Sequence, residues 1–536
     1  MQPPHSRTLA ELLAELSEQR PDAPAIVSED GLTLSYSELQ RQAAGVADAL
    51  SGLGVQRGDV VALMCTNRPE WVVATFGAAR LGATLAVFNT WARLWDLEYM
   101  LETGEPSVLI TLDRFRGQDY LGMLKELIPE AWNAPVGGWR AERFPGLKAI
   151  AVIGSEKPDG MHAFADWVDR EVELDPIVPG GETSAVDTAF IIYTSGSTAR
   201  PKAVPLQHYA IIENGFNIGE RMRLTQDDRV WLAVPLFWSY GCANAMMSTF
   251  THGATLVLQE VFDAGKALEL IERERCTVAY TLPNLTTALV SHEEFDRTRV
   301  ESLRTGLTIG LPSDVDRAVN QLGIERICNI YGGTETYGNC CVTPADSSLE
   351  RRLESQGPPL PGVEVRIVNP ESGIPLPDGE TGEIWVKGYI VLGYLGDGAP
   401  AREAFTDDGF FRTGDLGSLD ERGWIQFQAR ATDMMKTGGI NVSPQEVEDF
   451  LRQHPSVLDV GVVGVPDERL AEVPVAFVVG VPGTELTPEE LRAYSKERIA
   501  SFKIPARFVI SETLPKTTTG KLDRRTLKVW GVEAGS

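Results

Sequence analysis

Short apolar runs alternate with helix-period segments through the first half of this chain, and that alternation restricts the available folds more than any other feature. Val60 to Cys65, Ala83 to Asn89, Ser107 to Thr111 and Thr188 to Tyr193 have the length and composition of strands. Between them, Leu39, Val46, Leu50 and Leu53 share one helix face, with Ser37 placed to cap that helix and Gly54 to end it. Pro69 to Leu81 reads as another helix. Strands alternating with helices build parallel sheet covered on both faces. Beyond about residue 360 the pattern changes to strands at Val363 to Val368, Gly382 to Lys387 and Trp424 to Gln428, with a hairpin turn at Asp420 to Gly423. A mainly antiparallel β-subdomain fits there. The last hundred or so residues start afresh, with helix starts at Ser443-Pro-Gln-Glu446 and Thr487-Pro-Glu-Glu490. Strand signals at Val457 to Val465 and Val473 to Val479 complete a small α+β unit, whose boundary falls near Arg430 to Lys436. Pro129 to Pro145 is a Pro- and Trp-containing stretch that pattern alone does not assign.

A chain of 536 residues is too long for one ordinary core, so two or more domains are expected. Apolar residues make up 43%, and no run approaches the roughly 18 apolar residues of a spanning helix. The start carries Arg7 and then Glu11 without an apolar signal core, so a cytoplasmic location without stable membrane insertion is expected. A net charge of −26 argues against nucleic acid as a partner. Six cysteines and six histidines show no metal-ligand spacing, so reduced, mostly buried thiols are the plain reading.

One loop carries chemistry. In Ile192-Tyr-Thr-Ser-Gly-Ser-Thr-Ala-Arg-Pro-Lys202 the hydroxyls of Thr194, Ser195, Ser197 and Thr198 surround Gly196. Such a loop lets backbone N–H groups and hydroxyls approach phosphate oxygens, and Lys202 adds a cation. The Walker A spacing is absent, and a Ser/Thr/Gly loop read alone is more often only a loop.

The loop resembles the phosphate loop of the adenylate-forming superfamily, which includes acyl-CoA synthetases, nonribosomal adenylation domains and firefly luciferase. Further segments resemble that superfamily's signatures in order: Pro235-Leu-Phe-Trp238, Tyr331-Gly-Gly-Thr-Glu335, Gly382 to Gly388, Gly393-Tyr394, Phe411-Arg-Thr-Gly-Asp415, the stretch Arg430, Asp433, Lys436, Gly439 and Asn441, and Pro515-Lys-Thr-Thr-Thr-Gly-Lys521. The resemblance implies an α/β fold. A large N-terminal domain, residues 1–431, would hold layered parallel-sheet subdomains plus the β-subdomain, and residues 432–536 would form a small mobile α+β lid, with the active site between them.

The resemblance also implies roles. Asp415, acceptor-only when ionised, would take the ribose hydroxyls, though a turn residue before Gly417 is the plain alternative. Glu335 would hold Mg²⁺, a hard cation that wants oxygen, where a surface carboxylate is the plain alternative. Thr334 would offer its hydroxyl to phosphate, and Tyr331 a flat face to adenine beside Gly332. Arg430 would reach the nucleotide. Lys521 would bridge carboxylate and α-phosphate. Gly438 and Gly439 would let a thiol arm pass close to the backbone. Trp238, Tyr240, Asn244, Gly333 and Tyr337 would line the acid pocket, and the aromatic, Met-rich stretch Phe237 to Phe250 suggests an apolar or aromatic acid, though an equally apolar stripe in a buried helix would look the same.

This sequence departs from the usual pattern at Trp238, where a histidine is usual, at Ala199 and Ala203 in the phosphate loop, at Leu311, and at Thr432 in the hinge. None removes a phosphate or Mg²⁺ ligand; they bear on which acid is used and, less strongly, on the thiol step. The expected activity is ATP- and Mg²⁺-dependent formation of an acyl-AMP, followed by transfer to coenzyme A. The alternatives are an adenylating ligase with a carrier protein or amine as acceptor, a non-carboxylic acid substrate, a luciferase-like oxygenase, and a nucleotide-binding protein without catalysis. A homodimer is compatible with all of these.

Overall fold

A computed structural model of the chain describes residues 2–173, 183–194, 201–396, 404–430, 433–437, 440–467, 471–496, 498–499, 503–517 and 521–534. It packs as two compact units: Met1–Glu364 with Lys387–Gly409, and Val365–Val386 with Phe410–Ser536.

The first unit contains two mixed sheets. In one, strands Val60–Met64, Thr84–Val87, Val108–Leu112, Ala149–Ile153 and Thr188–Thr194 run parallel, and Lys202–Gln207 closes an edge antiparallel to Thr188–Thr194. In the other, Pro24–Ser28, Thr255–Leu258, Arg229–Leu232, Val278–Tyr280, Thr305–Thr308 and Arg326–Tyr331 run parallel. Most residues of these strands are buried, as continuous apolar runs in parallel sheet require. The alternation expected from sequence is therefore the observed architecture. One detail is corrected. The helix expected to start at Ser37 spans Tyr36–Gly52, and Ser35 caps it by accepting from the Glu38 N–H at 3.2 Å. Ser37 is a helical residue there, its hydroxyl 3.0 Å from that of Ser35. Within 129–145, a short 3₁₀ turn spans Pro129–Trp132, and buried Trp139 anchors the stretch by donating its indole N–H to the Gly160 carbonyl at 2.7 Å.

Glu364–Val368, Gly382–Lys387, Phe411–Leu419 and Ile425–Arg430 form a four-stranded sheet, which belongs to the second unit apart from the end residues Glu364 and Lys387. Its last two strands join at the expected turn, where Gly423 N–H donates to the Asp420 carbonyl at 2.8 Å. The C-terminal sheet pairs Val457–Asp467 with Ala471–Gly480 and adds Arg507–Ile510. Helix Pro444–Arg452 starts as expected, with Ser443 accepting from Glu446 N–H at 3.3 Å. Its Glu448, 3% exposed, accepts from the Arg524 guanidinium at 3.0 Å and from Val462 N–H at 2.8 Å, tying it to the C-terminal helix Arg524–Glu533. A buried carboxylate held only by one of these groups would carry a large desolvation cost, which the ion pair and the added hydrogen bond offset.

Candidate active site

The phosphate-loop candidate begins and ends on paired strands. Thr194 and Lys202 are opposite each other in the antiparallel register, so the hairpin brings both ends of the loop together. Ser195, Gly196, Ser197, Thr198 and Ala199 lie outside the described residues. Beyond Lys202, the Ala203 carbonyl accepts from Leu395 N–H at 2.9 Å.

The second element is the turn after strand Arg326–Tyr331. Gly332 has φ +158°, and a Cβ there would lie 2.6 Å from the Asn339 Cα, so the turn requires glycine for space. Gly333 N–H donates to the Thr336 hydroxyl at 3.0 Å, and Gly338 N–H returns to the Gly333 carbonyl at 2.9 Å. This closes the 3₁₀ turn Thr334–Thr336. The Thr334 hydroxyl lies 3.0 Å from that of Ser239, and Glu335 Oε1 accepts from the Tyr394 hydroxyl at 2.8 Å. Burial and the adjacent carboxylate push the Tyr394 hydroxyl above its ordinary pKa, so it stays protonated and donates. A neutral donor on one oxygen leaves the carboxylate its charge, which fits a hard divalent cation such as Mg²⁺. Tyr331 is 7% exposed at the strand end.

The acid-pocket candidates are divided in their surroundings. Trp238 meets Trp91 edge to face at 5.3 Å, and Trp91 meets Phe237 at 5.2 Å. Tyr240 and Asn244 sit on a π-helical turn, Tyr240–Met246, a departure from regular helix that often marks functional positions. Tyr240 donates to the Thr281 carbonyl at 3.2 Å, and Asn244 Oδ1 accepts from Tyr280 at 2.9 Å. Gly333 is partly exposed. Tyr337 is 1% exposed, in the left-handed region with φ +57°, its hydroxyl accepting from Gln207 N–H at 3.2 Å. Leu311 N–H donates to Asp314 at 3.0 Å, which opens helix Pro312–Arg317.

In the second unit, Asp415 and Arg430 are register partners on neighbouring strands, with the guanidinium Nε 3.4 Å from Asp415 Oδ1. Thr413 places Asp415 by accepting its N–H at 3.1 Å while donating to the Ile384 carbonyl at 2.7 Å. Lys521 belongs to the same cluster. Its pKa is depressed, first by surrounding protein and next by Arg430, while Asp415 opposes the shift. The Lys521 side chain keeps solvent access, so crowding rather than full enclosure sets that direction. Thr517 N–H donates to the Lys521 carbonyl at 2.7 Å. Lys436 lies on strand Met435–Thr437. Gly438, Gly439 and Thr432 lie outside the described residues.

Three contacts escaped sequence reasoning: Ser239 on Thr334, Trp91 on Trp238, and Tyr394 between Glu335 and Lys202. Each joins distant segments. The Gly393-Tyr394 motif was the one available signal, and it carried no role.

Residues 13–395 match the family model of the AMP-binding enzymes, and residues 446–521 match that of the AMP-binding enzyme C-terminal domain. The chain belongs to the AMP-binding, adenylate-forming enzyme family. It is 36% identical to YngI of Bacillus subtilis (strain 168), which carries an acyl-CoA synthetase name, over 98% of this chain and 97% of the relative. It is 30% identical to the mitochondrial medium-chain acyl-CoA ligase ACSF2 of Bos taurus, over 98% and 87%. Among solved structures, the anthranilate CoA ligase AuaEII with anthranoyl-AMP superposes with a TM-score of 0.86 at 26% identity, covering 99% of this chain and 98% of that one. ATP-bound MatB from Rhodopseudomonas palustris gives 0.85 at 28%, covering 98% and 100%. The α/β fold with a smaller C-terminal domain is thus that of the adenylate-forming ligases, and the chain is an AMP-forming acid–CoA ligase that uses ATP, Mg²⁺ and coenzyme A. Among the described residues no helix is long and apolar enough to cross a membrane.

Proposed function

We propose that this ligase activates an apolar or aromatic carboxylic acid, with Trp238 shaping the acid pocket. The observation that carries this reading is the link between Ser239 and Thr334 at 3.0 Å, which sets the aromatic group Trp91, Phe237 and Trp238 one residue from the turn bearing Glu335. An indole does not titrate near neutrality, so Trp238 does no proton transfer. Relatives named for medium-chain acids and for anthranilate fall within the same acid class.

In the first half-reaction the acid's carboxylate oxygen attacks the α-phosphorus of ATP, the bond to the β-phosphate bridging oxygen breaks, and pyrophosphate leaves. Thr194, Lys202 and the loop of Ser195, Gly196, Ser197 and Thr198 would hold phosphate oxygens, with Thr334 donating its hydroxyl. Glu335 would hold Mg²⁺, which offsets the charge of the leaving pyrophosphate. Tyr331 and Gly332 would border the adenine, Asp415 the ribose hydroxyls, and Arg430 the nucleotide. Lys521 would place its charge between two anions that must approach. In the second half-reaction the coenzyme A sulfur attacks the acyl carbonyl and AMP leaves. A free thiol of pKa about 8.5 is a few per cent thiolate near pH 7, so no strong base is obligatory. Residues 432–536 would act as the lid, with a hinge near Thr432 and the thiol arm passing Gly438 and Gly439. We place the enzyme in the cytoplasm, where its six unpaired, buried cysteines stay reduced.

Pyrophosphate release across a panel of acids, with and without coenzyme A, tests the reading. Benzoate-like and medium-chain acids should give turnover well above that of short dicarboxylates. Preferred turnover of a dicarboxylate would overturn it.

A further inference from the structure

We propose that Tyr394 is a positioning residue that holds the metal-binding carboxylate and the phosphate-loop lysine at fixed stations on one side chain. The inference rests on reading Glu335 as the Mg²⁺ ligand and Lys202 as a phosphate contact. Residues 391–395 are pinned at both ends: Val391 N–H donates to the Glu335 carbonyl at 2.9 Å, and Leu395 N–H donates to the Ala203 carbonyl at 2.9 Å. Between those pins the Tyr394 hydroxyl donates to Glu335 Oε1 at 2.8 Å. The Lys202 ammonium sits 4.6 Å from the centroid of the same ring, within cation–π range. Ring packing on Phe405, 6.4 Å between centroids, steadies the tyrosine from another side.

Core packing anchors part of the segment: Val391 is 1% exposed and the Tyr394 ring packs against the core, while Leu392 and Leu395 stay 83% and 43% exposed. Packing seats the ring, but it does not call for a hydroxyl on Glu335 or a cation over the ring face. What the segment does hold is one acidic and one basic group, each through a neutral partner. A direct Lys202–Glu335 salt bridge would spend both charges on each other before substrate arrived. A hydroxyl on the carboxylate and a ring under the ammonium orient both groups and leave both charges for the Mg²⁺–triphosphate. Glu335 then keeps Oε2 for the cation.

Two variants of the full chain separate the two halves of the device. Tyr394→Phe keeps the ring and removes the hydroxyl; Tyr394→Leu removes both. ATP affinity is read by calorimetry with and without Mg²⁺, and as a function of Mg²⁺, alongside pyrophosphate release and thermal melting. Tyr394→Phe should raise the Mg²⁺ concentration for half-maximal ATP affinity about tenfold, the scale of one hydrogen bond to a charged group, and leave Mg²⁺-free ATP binding unchanged. Tyr394→Leu should in addition weaken Mg²⁺-free binding about threefold, the scale of an exposed cation–π contact. In the Glu335→Gln background, Tyr394→Phe should add no further shift. A wild-type Mg²⁺ midpoint in a folded Tyr394→Phe variant, with Glu335→Gln shifted, overturns the coupling and leaves the metal-ligand reading standing. An unshifted Glu335→Gln overturns the metal-ligand reading, and the coupling with it. Equal losses of Mg²⁺-free affinity in the Phe and Leu variants overturn the role given to the ring.

Discussion

Trp238 replaces a titratable imidazole by a larger, neutral indole, and Trp91 and Phe237 hold it by edge-to-face contacts. Each such pair is worth about 0.5–1.5 kcal/mol beyond area burial, enough to restrict the indole's rotamer. Trp238→His should therefore change acid preference more than maximal turnover. Trp91→Ala, which leaves Trp238 in place but frees it, should broaden the range of acids accepted. Rates across the acid panel check both; an unmoved preference in both variants would make the aromatic group simple packing. Lys521 gives a second residue-scale expectation. Its depressed pKa means that the ammonium is lost at lower pH than for an ordinary lysine. If the charged form is needed, kcat/KM for adenylation falls as pH rises through that lowered value. Arg430→Gln removes the second cause of the depression, so the alkaline limb should move to higher pH even though overall activity drops. A limb that stays in place in Arg430→Gln would dissociate Lys521 from it.

At the scale of elements, helix Leu9–Gln19 packs its buried leucines on helices Tyr36–Gly52 and Pro69–Arg80, and its first residue is tied to helix His208–Met222 by a hydrogen bond from Leu9 N–H to His208 Nδ1 at 3.3 Å. Burial pushes His208 down to about 4, with Asp187 and Glu11 opposing. The unfolded chain, with an ordinary histidine, takes up a proton near pH 6.5. Between there and about 4 the unfolded state binds more protons, so stability is full above about 6.5 and falls as pH drops. The shift corresponds to roughly 3 kcal/mol at its acid end. His208→Gln should flatten the fall in Tm between pH 7 and pH 5, measured by thermal melting with the wild type in parallel; equal slopes would contradict it. The start of helix Leu9–Gln19 is marked locally, because Thr8 and Glu11 cap it reciprocally. The hydrogen bond to His208 is not, since the two residues lie 199 apart in sequence.

The residues proposed for catalysis fall in both compact units. Lys202, Thr334, Glu335 and Tyr394 belong to one compact unit, and Asp415, Arg430 and Lys521 to the other. If Lys521 serves only the adenylating half-reaction, Lys521→Ala should lower acyl-AMP formation by about 10²–10³-fold, the scale of one preorganised charge donor. It should still consume supplied acyl-AMP with coenzyme A at near wild-type rate. Measuring each half-reaction alone decides it: equal loss of both in a folded variant would end the proposal that the lid alternates between two tasks.

The order of motifs, the strand–helix alternation, the capped helix starts and the hairpin at Asp420 to Gly423 were determined by the sequence alone. Each depends on residues within a turn or two of one another, so periodicity and spacing carry it. Ser35 rather than Ser37 took the cap because two serines one residue apart offer nearly equal local chemistry, and the packing of Tyr36 between them, wholly buried, made the choice. Tyr394 and Glu335 are 59 residues apart, and Trp91 reaches Trp238 from another loop. Those contacts were decided by tertiary structure. The chain must first form two sheets and their turns before a hydroxyl meets a carboxylate or one indole meets another, and no local pattern encodes where those turns converge.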